Sequence, residues 1–588
     1  MCGLSGELRL DGRGADVEAV ARMTAAMEPR GPDGSGLWSQ GPVALGHRRL
    51  KIIDLSEKAA QPMTDGELGL TGVFNGCIYN YRELRSELRA AGYRFSSGSD
   101  TEVLIKAYHR WGRDCVDHLK GMFAFAIVEC ASGVLVLGRD RLGIKPLYLT
   151  RDASRLRFAS TLPALLAGGG VDTDLDLVAL HHYMTFHSVV PPPRTILAGV
   201  SKLPPATVRT IQPDGSQEDH LYWRPDHTRS LTREDWSDAI LEALRTAVDR
   251  RMVADVPVGV LLSGGLDSSF IVALLAEAGQ RDLATFSIGF HAAGGESGDE
   301  FAYSDLVASR FGTDHHKILI DDSRLLPGLT GAVAAMNEPM VSHDCVAFYL
   351  LSQEVSRHVK VVQSGQGADE VFAGYDWYPP LADVPRDGVT DAYAKVFFDR
   401  PHAALAGTLN SGYLLEGDVS RAFAGEHFGV PGAATALDAA LRLDSLVMLA
   451  DDPVKRVDNM TMAWGLEART PFLDHELVEL AAACPPELKL ASGGKGVLKD
   501  AARGIVPDEV IDRPKGYFPV PAIRHLSGPY LELVGDALNS RAAKSRGLFR
   551  PAYIKRLMAA PSDHRTTLGA SALWQVALLE LWLQSHDL

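Results

Sequence analysis

The chain has 588 residues, a length that indicates at least two large domains, and its 46% hydrophobic and 23% charged residues are ordinary for a globular protein. The formal net charge of −15 argues against a general nucleic-acid surface. No apolar segment approaches the roughly 20 residues of a membrane span, and MCGLSGELRLDG lacks the regions of a signal peptide. Six scattered cysteines form neither a zinc pattern nor a disulfide framework, so we expect a reduced, cytoplasmic protein.

Cys2 directly follows the initiator methionine and precedes Gly3. A small second residue usually allows removal of the methionine, which would place a thiol and a free α-amine on one residue. Because an α-amine has a pKa of about 7.7–8.0, it can accept a proton near neutrality and activate that thiol. For Cys2 alone, an inert second-position cysteine is an equal alternative.

Several segments after Cys2 combine strand-like runs with turn residues. They are RGPDGSG (30–36), HRRLKIID (47–54), FNGCIYN (74–80), GSDTE (98–102), GMFAFA (121–126) and RDRLGIKPLY (139–148). Together with Cys2 they resemble the class II glutamine amidotransferases. The resemblance implies an N-terminal-nucleophile fold, an αββα sandwich in which two antiparallel sheets lie between helices.

The resemblance also implies a glutaminase, in which Cys2 attacks the side-chain amide of glutamine and releases ammonia. It assigns Arg49 to the carboxylate of glutamine and Asp100 to its α-ammonium. Asn75 and the amide of Gly76 would form the oxyanion hole. The implied glutamine-binding set is Arg49, Ile52, Ile53, Asn75, Gly76 and Asp100.

Position 77 departs from the family pattern, which usually reads Asn-Gly-Glu-Ile-Tyr-Asn, because here Cys77 replaces the glutamate. If that glutamate contacts glutamine through its backbone, little changes. If it does so through its carboxylate, the affinity for glutamine is affected. We expect Cys77 to be a packed thiol and not a second nucleophile.

The first domain is expected to close after the strand-like LRFAS at Leu156 and a hairpin tip at Pro213-Asp214-Gly215. We expect His181, His182 and His187 to be packed or surface residues and not a metal site. The predicted boundary lies near residue 225, which gives domains of 1–225 and 226–588.

The second domain is organised around VPVGVLLSGGLDSS (256–269), an apolar run, a glycine-rich turn and a helix-like segment. The amides of such a turn, beside a helix N-terminus, can bind an anion. The stretch has neither a GxxxxGK[ST] nor a GxGxxG pattern. It resembles the PP-loop of ATP pyrophosphatases, which split ATP into AMP and pyrophosphate.

Two further apolar runs, TFSIGF (285–290) and VKVVQ (359–363), are predicted to be parallel strands with helices between them. The loops that follow parallel strands meet at one edge of the sheet. We therefore expect Asp369, after the second run, to share a magnesium ion with Asp267 of the PP-loop.

The segments DNMTMAWGLEARTPFLD (458–474), GKGVLK (494–499), Arg513-Pro514-Lys515 and the terminal ALWQVALLELW extend the resemblance to the whole chain. It is then to the glutamine-dependent asparagine synthetases, in which Mg-ATP adenylates a carboxylate and ammonia from an internal tunnel displaces AMP. This implies a PP-loop α/β domain with ATP and Mg²⁺ as cofactors, and glutamine and a small carboxylate acceptor as partners; it also allows a homodimer. The implied ATP site is Leu262, Ser263, Gly264, Gly265, Asp267, Ser268, Ile288, Ser364 and Gly365, with Asp267 and Asp369 on magnesium and Lys495 at the pyrophosphate.

Gln366 is the second departure, because asparagine synthetases read Ser-Gly-Glu-Gly where this chain reads Ser-Gly-Gln-Gly. Glutamine carries no charge and cannot take a proton, so either another group serves as base or the acceptor is not aspartate. With FNGCIYNY and SGQGADEVFAGYDWYPP, the chain is most similar to the N-acetylglutaminylglutamine amidotransferases. That branch amidates the terminal carboxylate of N-acetylglutaminylglutamine to make a compatible solute.

Three alternatives remain at this stage. The first is an asparagine synthetase with an unusual loop at Gln366. The second is an N-terminal-nucleophile hydrolase whose second domain is not catalytic. The third is a sensing or scaffold protein, with both sites disabled by Cys77 and Gln366.

Overall fold

The structure is a computed structural model that describes residues 2–227, 233–291, 298–514, 516, 520 and 525–588. Lys515, which the sequence places in a family motif, therefore lies outside the described residues. All six cysteines are described, and all are free thiols. Among the described residues, no helix combines the length and apolar character needed to cross a membrane.

Two antiparallel six-stranded sheets form the first half of the chain. Their strands are β1 (Gly3–Arg9), β2 (Gly34–Gln40), β3 (Val43–Arg49), β4 (Met63–Asp65), β5 (Leu70–Ile78), β6 (Gly121–Glu129), β7 (Leu135–Arg139), β8 (Tyr148–Arg151), β9 (Arg155–Ala159), β10 (Ser201–Lys202), β11 (Thr207–Ile211) and β12 (Gln217–Leu221). The first sheet has the order β10-β8-β9-β1-β3-β2, and the second has the order β12-β11-β7-β6-β5-β4. Strands β11 and β12 form the hairpin predicted around Pro213–Gly215.

Apolar side chains of both sheets meet between them, among them Leu4, Leu45 and Phe158 of the first sheet and Val73 and Leu137 of the second. Helices Val17–Ala26 and Leu162–Gly168 cover the first sheet, and helix Asp100–Trp111 packs on β5 of the second. This arrangement confirms the predicted αββα sandwich.

A five-stranded parallel sheet forms the core of the second half. Its strands are β13 (Val258–Leu261), β14 (Ala284–Phe290), β15 (Asp314–Ile320), β16 (Val361–Gln363) and β17 (Glu467–Arg469), in the order β15-β14-β13-β16-β17. The two predicted runs are β14 and β16, so the parallel α/β fold is confirmed. Two strands were not predicted from the sequence: β15, whose side chains are mostly exposed or half-buried, and β17, which has only three residues.

Helices surround this sheet and continue to the chain's end. Two further helices, Tyr81–Ala90 and Cys115–His118, pack with Asp100–Trp111 on the second antiparallel sheet. The other α-helices among the described residues are Leu177–Thr185, Trp236–Arg250, Leu266–Glu277, Phe301–Phe311, Asp322–Ala335, Asp344–Val355, Ala368–Val371, Val389–Phe397, Val419–Gly429, Ala436–Leu443, Leu449–Asp451, Pro453–Met462, His475–Ala483, Pro486–Leu490, Gly496–Ala502, Asp508–Ile511, Gly528–Asn539, Arg541–Arg546, Pro551–Ala559 and Ala572–Ser585. The last of these buries Trp574 and Trp582 completely, which explains the apolar terminal sequence.

Buried ion pairs join the two halves. Arg30 donates to Asp458 at 2.8 Å, and Lys145 contacts the same carboxylate at 3.2 Å. A half-exposed pair, Lys360 with Asp33 at 2.7 Å, crosses the same boundary. Breaking a buried pair leaves an uncompensated charge, so these contacts fix how the halves meet.

Candidate active sites

Cys2 directly precedes β1 and lines a small pocket of the sandwich. Its backbone N–H donates to Asn75 Oδ1 at 3.0 Å. Asn75 and Gly76 are neighbours on β5, and Gly76 has no room for a side chain, because a Cβ there would lie 2.2 Å from the Met122 carbonyl oxygen. The glycine therefore allows the close strand contact that holds Asn75 beside Cys2.

The pocket combines one cationic and two anionic side chains with the Cys2 thiol. It is lined by Cys2, Arg49, Leu50, Ile52, Ile53, Ala59, Gln61, Phe74, Gly76, Cys77, Ser99, Asp100, Thr101 and Glu467. The structure thus brings together every residue of the predicted glutamine-binding set, with Asn75 reaching Cys2 through its side-chain oxygen. A small zwitterion such as glutamine matches these charges.

Arg49 is fixed by its own loop, because its guanidinium donates to the backbone oxygen of Ser56 at 2.8 Å and to that of Asp54. Asp100 begins the helix Asp100–Trp111, and its Oδ2 accepts the Ile78 N–H at 3.1 Å. Burial raises the pKa of Asp100 to about 6, and the nearby Glu467 carboxylate adds to this rise.

Burial also raises the pKa of the Cys2 thiol, against the lowering effect of the positive chain terminus. A thiol with a raised pKa is protonated at neutral pH, so it needs a base before it can attack. Cys77 is fully buried, burial raises the pKa of its thiol, and its sulfur lies 3.7 Å from an Arg469 nitrogen. These surroundings are those of a packed thiol.

Glu467 is the pocket residue that the sequence analysis missed. It is the first residue of β17, far from the other lining residues in the chain, and its oxygen accepts from Arg469 Nε at 2.6 Å. The sequence placed Glu467-Ala468-Arg469 in a family motif, but nothing in the sequence indicated that the strand reaches the first domain.

A second cavity lies at the carboxyl end of the parallel sheet. Strand β13 ends at Leu261, and helix Leu266–Glu277 begins after the turn Leu262–Gly265. Gly264 has φ +75°, and a Cβ there would lie 2.7 Å from the Ser304 nitrogen, so only glycine fits this turn. The Ser263 N–H donates to Ser268 Oγ at 3.1 Å, which closes the turn over the helix N-terminus.

The loop after β16 reaches the same place. A Cβ at Gly365 would lie 2.8 Å from Asp267 Cβ, so the two loops touch through this glycine. The cavity is lined by Leu261, Leu262, Ser263, Asp267, Ser268, Phe286, Ser287, Ile288, Phe290, Asp299, Glu300, Phe301, Ser304, Phe348, Leu351, Ser364, Gly365, Gln366, Gly367, Asp369, Glu370 and Tyr375. Of the predicted nucleotide-binding residues, Gly264 and Gly265 shape the turn without lining the cavity. Most of the loop after β14 lies outside the described residues.

Lys495 lies between the two predicted metal ligands. Its Nζ is 2.7 Å from Asp267 Oδ2 and 3.0 Å from Asp369 Oδ2. Burial opposes the charge of Lys495, but the two aspartates outweigh it and raise the pKa of the ammonium. Gly374 makes this approach possible, because a Cβ there would lie 2.2 Å from Asp369 Oδ1 and 2.3 Å from Lys495 Cε.

These residues suit Mg-ATP. The carboxylates of Asp267 and Asp369 converge on the Lys495 ammonium. Carboxylate oxygens are the hard ligands that Mg²⁺ prefers. The turn at Gly264 presents backbone amides at the start of a twelve-residue helix, as phosphate sites do. Asp267 and Asp369 could hold the metal, and Lys495 lies close enough to contact a phosphate bound beside it.

Two acidic residues near Gln366 were also missed by the sequence analysis. Glu370 is buried, accepts from the Tyr375 hydroxyl at 2.6 Å, and burial with the neighbouring Asp369 raises its pKa to about 7. Glu300 pairs with Arg513 at 2.6 Å, which brings the arginine of the Arg513-Pro514-Lys515 motif to the cavity. Neither glutamate was marked by a spacing that the sequence could reveal.

His181 and His182 of the helix Leu177–Thr185 are buried, but His181, His402 and Asp418 place possible ligand atoms within 4.8 Å of one another, so the expectation that no metal site lies here stays a prediction. His181 and His182 share a hydrogen-bond network with Ser420. His181 Nε2 lies 2.9 Å from His402 Nδ1 and 3.9 Å from an Asp418 oxygen, a grouping whose members are distant in sequence. Hydrogen bonds account for the closest of these contacts.

The two sites and the three sheets together define a glutamine-dependent amide ligase that joins an N-terminal-nucleophile domain to an ATP-site domain. Comparison with known families agrees: the glutamine amidotransferase domain model matches residues 1–223, and the asparagine synthase model matches residues 239–584. The chain belongs to the asparagine synthase family and is a ligase that forms C–N bonds with glutamine as the amide donor.

Curated relatives cover nearly the whole chain. Asparagine synthetase [glutamine-hydrolyzing] 3 of Bacillus subtilis (strain 168) is 34% identical over 549 residues, which cover 88% of this chain and 87% of the relative. Asparagine synthetase [glutamine-hydrolyzing] 1 of the same organism is 32% identical, and the match covers 96% of this chain and 93% of that relative. Amidase chry2 of Gibberella zeae is 27% identical, with 90% and 89% covered.

Proposed function

We propose that this ligase transfers the amide nitrogen of glutamine to the terminal carboxylate of N-acetylglutaminylglutamine, at the expense of ATP. The observation that carries the proposal is Gln366, a neutral amide in the wall of the ATP-site cavity. Aspartate brings an α-ammonium that needs an anionic partner, whereas an N-acetylated dipeptide has no ammonium and offers amide groups. A glutamine side chain can both donate to and accept from such amides.

The glutaminase half of the reaction follows from the Cys2 pocket. After removal of Met1, the α-amine of Cys2 would take the thiol proton, and the sulfur would attack the amide carbon of glutamine. The Asn75 side chain and the Gly76 N–H would stabilise the oxyanion. Arg49 and Asp100 would hold the two charged ends of glutamine, which fixes its amide near the sulfur.

The ligase half takes place in the cavity at the end of the parallel sheet. Mg-ATP, when bound, would supply the adenylyl group that turns an unreactive carboxylate into a mixed anhydride, with release of pyrophosphate, and AMP is then the leaving group. Asp267 and Asp369 would hold the metal, while the turn at Ser263–Gly265 and the Lys495 ammonium would hold phosphate charge. The Gln366 amide would orient the acceptor, and ammonia from the first site would then attack it.

Aspartate is the second candidate acceptor, because the relatives from Bacillus subtilis carry the name asparagine synthetase. An acceptor screen separates the two. The protein is incubated with ATP, Mg²⁺ and glutamine plus either acceptor, and AMP and the amide are measured by mass spectrometry. Formation of the amidated dipeptide supports the proposal, and asparagine as the sole product would refute it.

The same assay addresses the other two functions. A hydrolase with a non-catalytic second domain would release no pyrophosphate on addition of either acceptor. A scaffold with disabled sites would show neither glutaminase nor ligase activity. We propose 1–225 and 226–588 as the domain bounds, supported by the end of the second antiparallel sheet at Leu221 and the start of helix Trp236–Arg250.

A further inference from the structure

Three charged side chains meet at the boundary between the two halves of the chain, beside Cys2. They are Arg30, Lys145 and Asp458, and all three are buried. Each comes from a segment that carries the family resemblance: 30–36, 139–148 and 458–474. None of the three is among the described residues that line the Cys2 pocket or the ATP-site cavity. The functions assigned so far therefore leave this boundary cluster without a role.

Arg30 is the member of the boundary cluster that contacts Cys2. Its Nε donates to the Cys2 carbonyl oxygen at 3.3 Å, while the Cys2 N–H donates to Asn75 Oδ1 at 3.0 Å. Both backbone groups of Cys2 are therefore held, one by a guanidinium and one by a side-chain amide. Because Cys2 carries both the thiol and the α-amine that would activate it, the orientation of its backbone decides where both groups point.

Asp458 fixes the Arg30 guanidinium from the ligase domain. Its two carboxylate oxygens accept from Nη1 and Nη2 of Arg30 at 2.8 and 3.3 Å, a two-point contact that sets the plane of the guanidinium. Lys145 donates to the same carboxylate at 3.2 Å. Burial alone would raise the pKa of Asp458, but Arg30 and Lys145 lower it, so the carboxylate is charged at neutral pH. The guanidinium thus joins this carboxylate to the backbone of Cys2.

The position of Asp458 is set by the core of the ligase domain. Asp458 lies on the helix Pro453–Met462, which packs against the helix Asp344–Val355. The second of these helices supplies Phe348 and Leu351 to the wall of the ATP-site cavity. The carboxylate that orients Arg30 is therefore placed by the same helices that shape the ATP site.

We propose that Asp458 of the ligase domain is a positioning residue for glutamine hydrolysis, which orients the Arg30 guanidinium and through it the carbonyl group of Cys2. The inference rests on the proposed glutaminase role of the Cys2 pocket. It makes the rate of attack by Cys2 depend on contact with the second domain. Glutamine affinity should depend on that contact much less, because neither Arg30 nor Asp458 is among the described residues that line the pocket.

Glutamate formation by the full chain tests the proposal. We expect Asp458→Asn, which keeps the shape of the side chain and removes its charge, to lower kcat about ten- to hundredfold, because a displacement of about 1 Å in a reacting group can cost a hundredfold in rate. KM for glutamine should change less than about threefold, since the residues that would bind glutamine stay in place.

Two further single variants separate positioning from packing. Asp458→Asn leaves two buried cations without their carboxylate, which can unfold the protein, whereas Arg30→Lys keeps a cation beside Asp458. A lysine side chain lacks the planar fork that reaches two acceptors at once, so Arg30→Lys should lower kcat as Asp458→Asn does. The variant with both changes should be no slower than the slower single variant, because both residues act on Cys2 through one contact. Lys145→Met is the matched control, since it removes a buried cation from the same carboxylate while Arg30 still contacts Cys2.

A fall in kcat at nearly constant KM in Asp458→Asn and Arg30→Lys, with kcat preserved in Lys145→Met, supports the proposal. An unchanged kcat in Arg30→Lys overturns it. An equal fall in Lys145→Met also overturns it, because general packing at the boundary would then explain the effect, and so does a loss of activity that lies in KM and not in kcat. If thermal unfolding shows that Asp458→Asn does not fold, Arg30→Lys and Lys145→Met decide. If the unaltered chain hydrolyses no glutamine, the proposed function itself fails.

Discussion

Gly374→Ala should disable amide synthesis while leaving the fold in place. An added Cβ would lie 2.2 Å from Asp369 Oδ1 and 2.3 Å from Lys495 Cε, whereas ordinary contacts begin near 3.4 Å. Both neighbours are the ends of side chains, so they can move away by about 1 Å without breaking the backbone. A displacement of 1 Å in a positioned catalytic group can cost about a hundredfold in rate.

We therefore expect kcat of glutamine-driven and ammonia-driven synthesis to fall about a hundredfold in Gly374→Ala. Glutamine hydrolysis should change little, because Cys2 lies in the other domain. Pyrophosphate release measures the first activity and glutamate formation the second, and thermal unfolding reports on the fold. Gly412→Ala is the matched control, since a Cβ at Gly412 meets no atom within 4 Å.

The expectation is wrong if Gly374→Ala makes amide at the rate of the unaltered protein, because Lys495 and the two aspartates would then tolerate the displacement. It is equally wrong if glutaminase and ligase activities fall together with the unfolding temperature. That outcome would make Gly374 a residue of the fold and not of the cavity.

Three further predictions concern single residues. Cys2→Ala should abolish glutamine-driven synthesis while ammonium chloride still supports it, and a failure of ammonia to do so would contradict the division of labour between the domains. Glutamine binding to Cys2→Ala, measured by calorimetry, should weaken as the pH falls through about 6, because Asp100 then takes a proton and can no longer pair with an ammonium; the same variant with Asp100→Asn should show no such step. Gly264→Ala should lower stability by about 1–2 kcal/mol or more, since φ is +75° and the added Cβ meets the Ser304 backbone nitrogen, and a thermal unfolding curve matching that of the unaltered protein would refute this.

The fold class was predicted from the sequence, and so were most of the residues that the structure brings together around the two cavities, because these residues lie in short motifs at or beside strand ends. Asn75 and Gly76 lie on β5, and Asn75 contacts Cys2. Asp267 lies in the first turn of the helix that follows β13. In each of these places, a few residues that are adjacent in sequence both shape the backbone and supply the functional groups. A short sequence motif is therefore enough to identify them.

The residues that were missed owe their roles to contacts between distant segments. Glu467 looks like part of a short motif, and only the packing of β17 against the first domain places it beside Cys2. Glu370 follows Gln366 by four residues, in the short helix Ala368–Val371, and its hydroxyl partner Tyr375 lies beyond that helix. Burial and long-range pairing have no periodic signal in a sequence.

The two sites meet at a pair of short strands. Ser364, at the end of β16, donates its N–H to the Arg469 carbonyl at 2.8 Å, and the side chain of Arg469 holds Glu467 in the Cys2 pocket. Strand β17 has three residues, which at about 3.3 Å per residue puts its two ends only about 7 Å apart. A shift of the loop that carries Gln366 must therefore displace Arg469 or break a buried hydrogen bond, and leaving buried polar groups unpaired costs about 1–3 kcal/mol. Two hydrogen bonds, through Arg469, thus connect the loop that carries Gln366 to the Glu467 carboxylate in the Cys2 pocket.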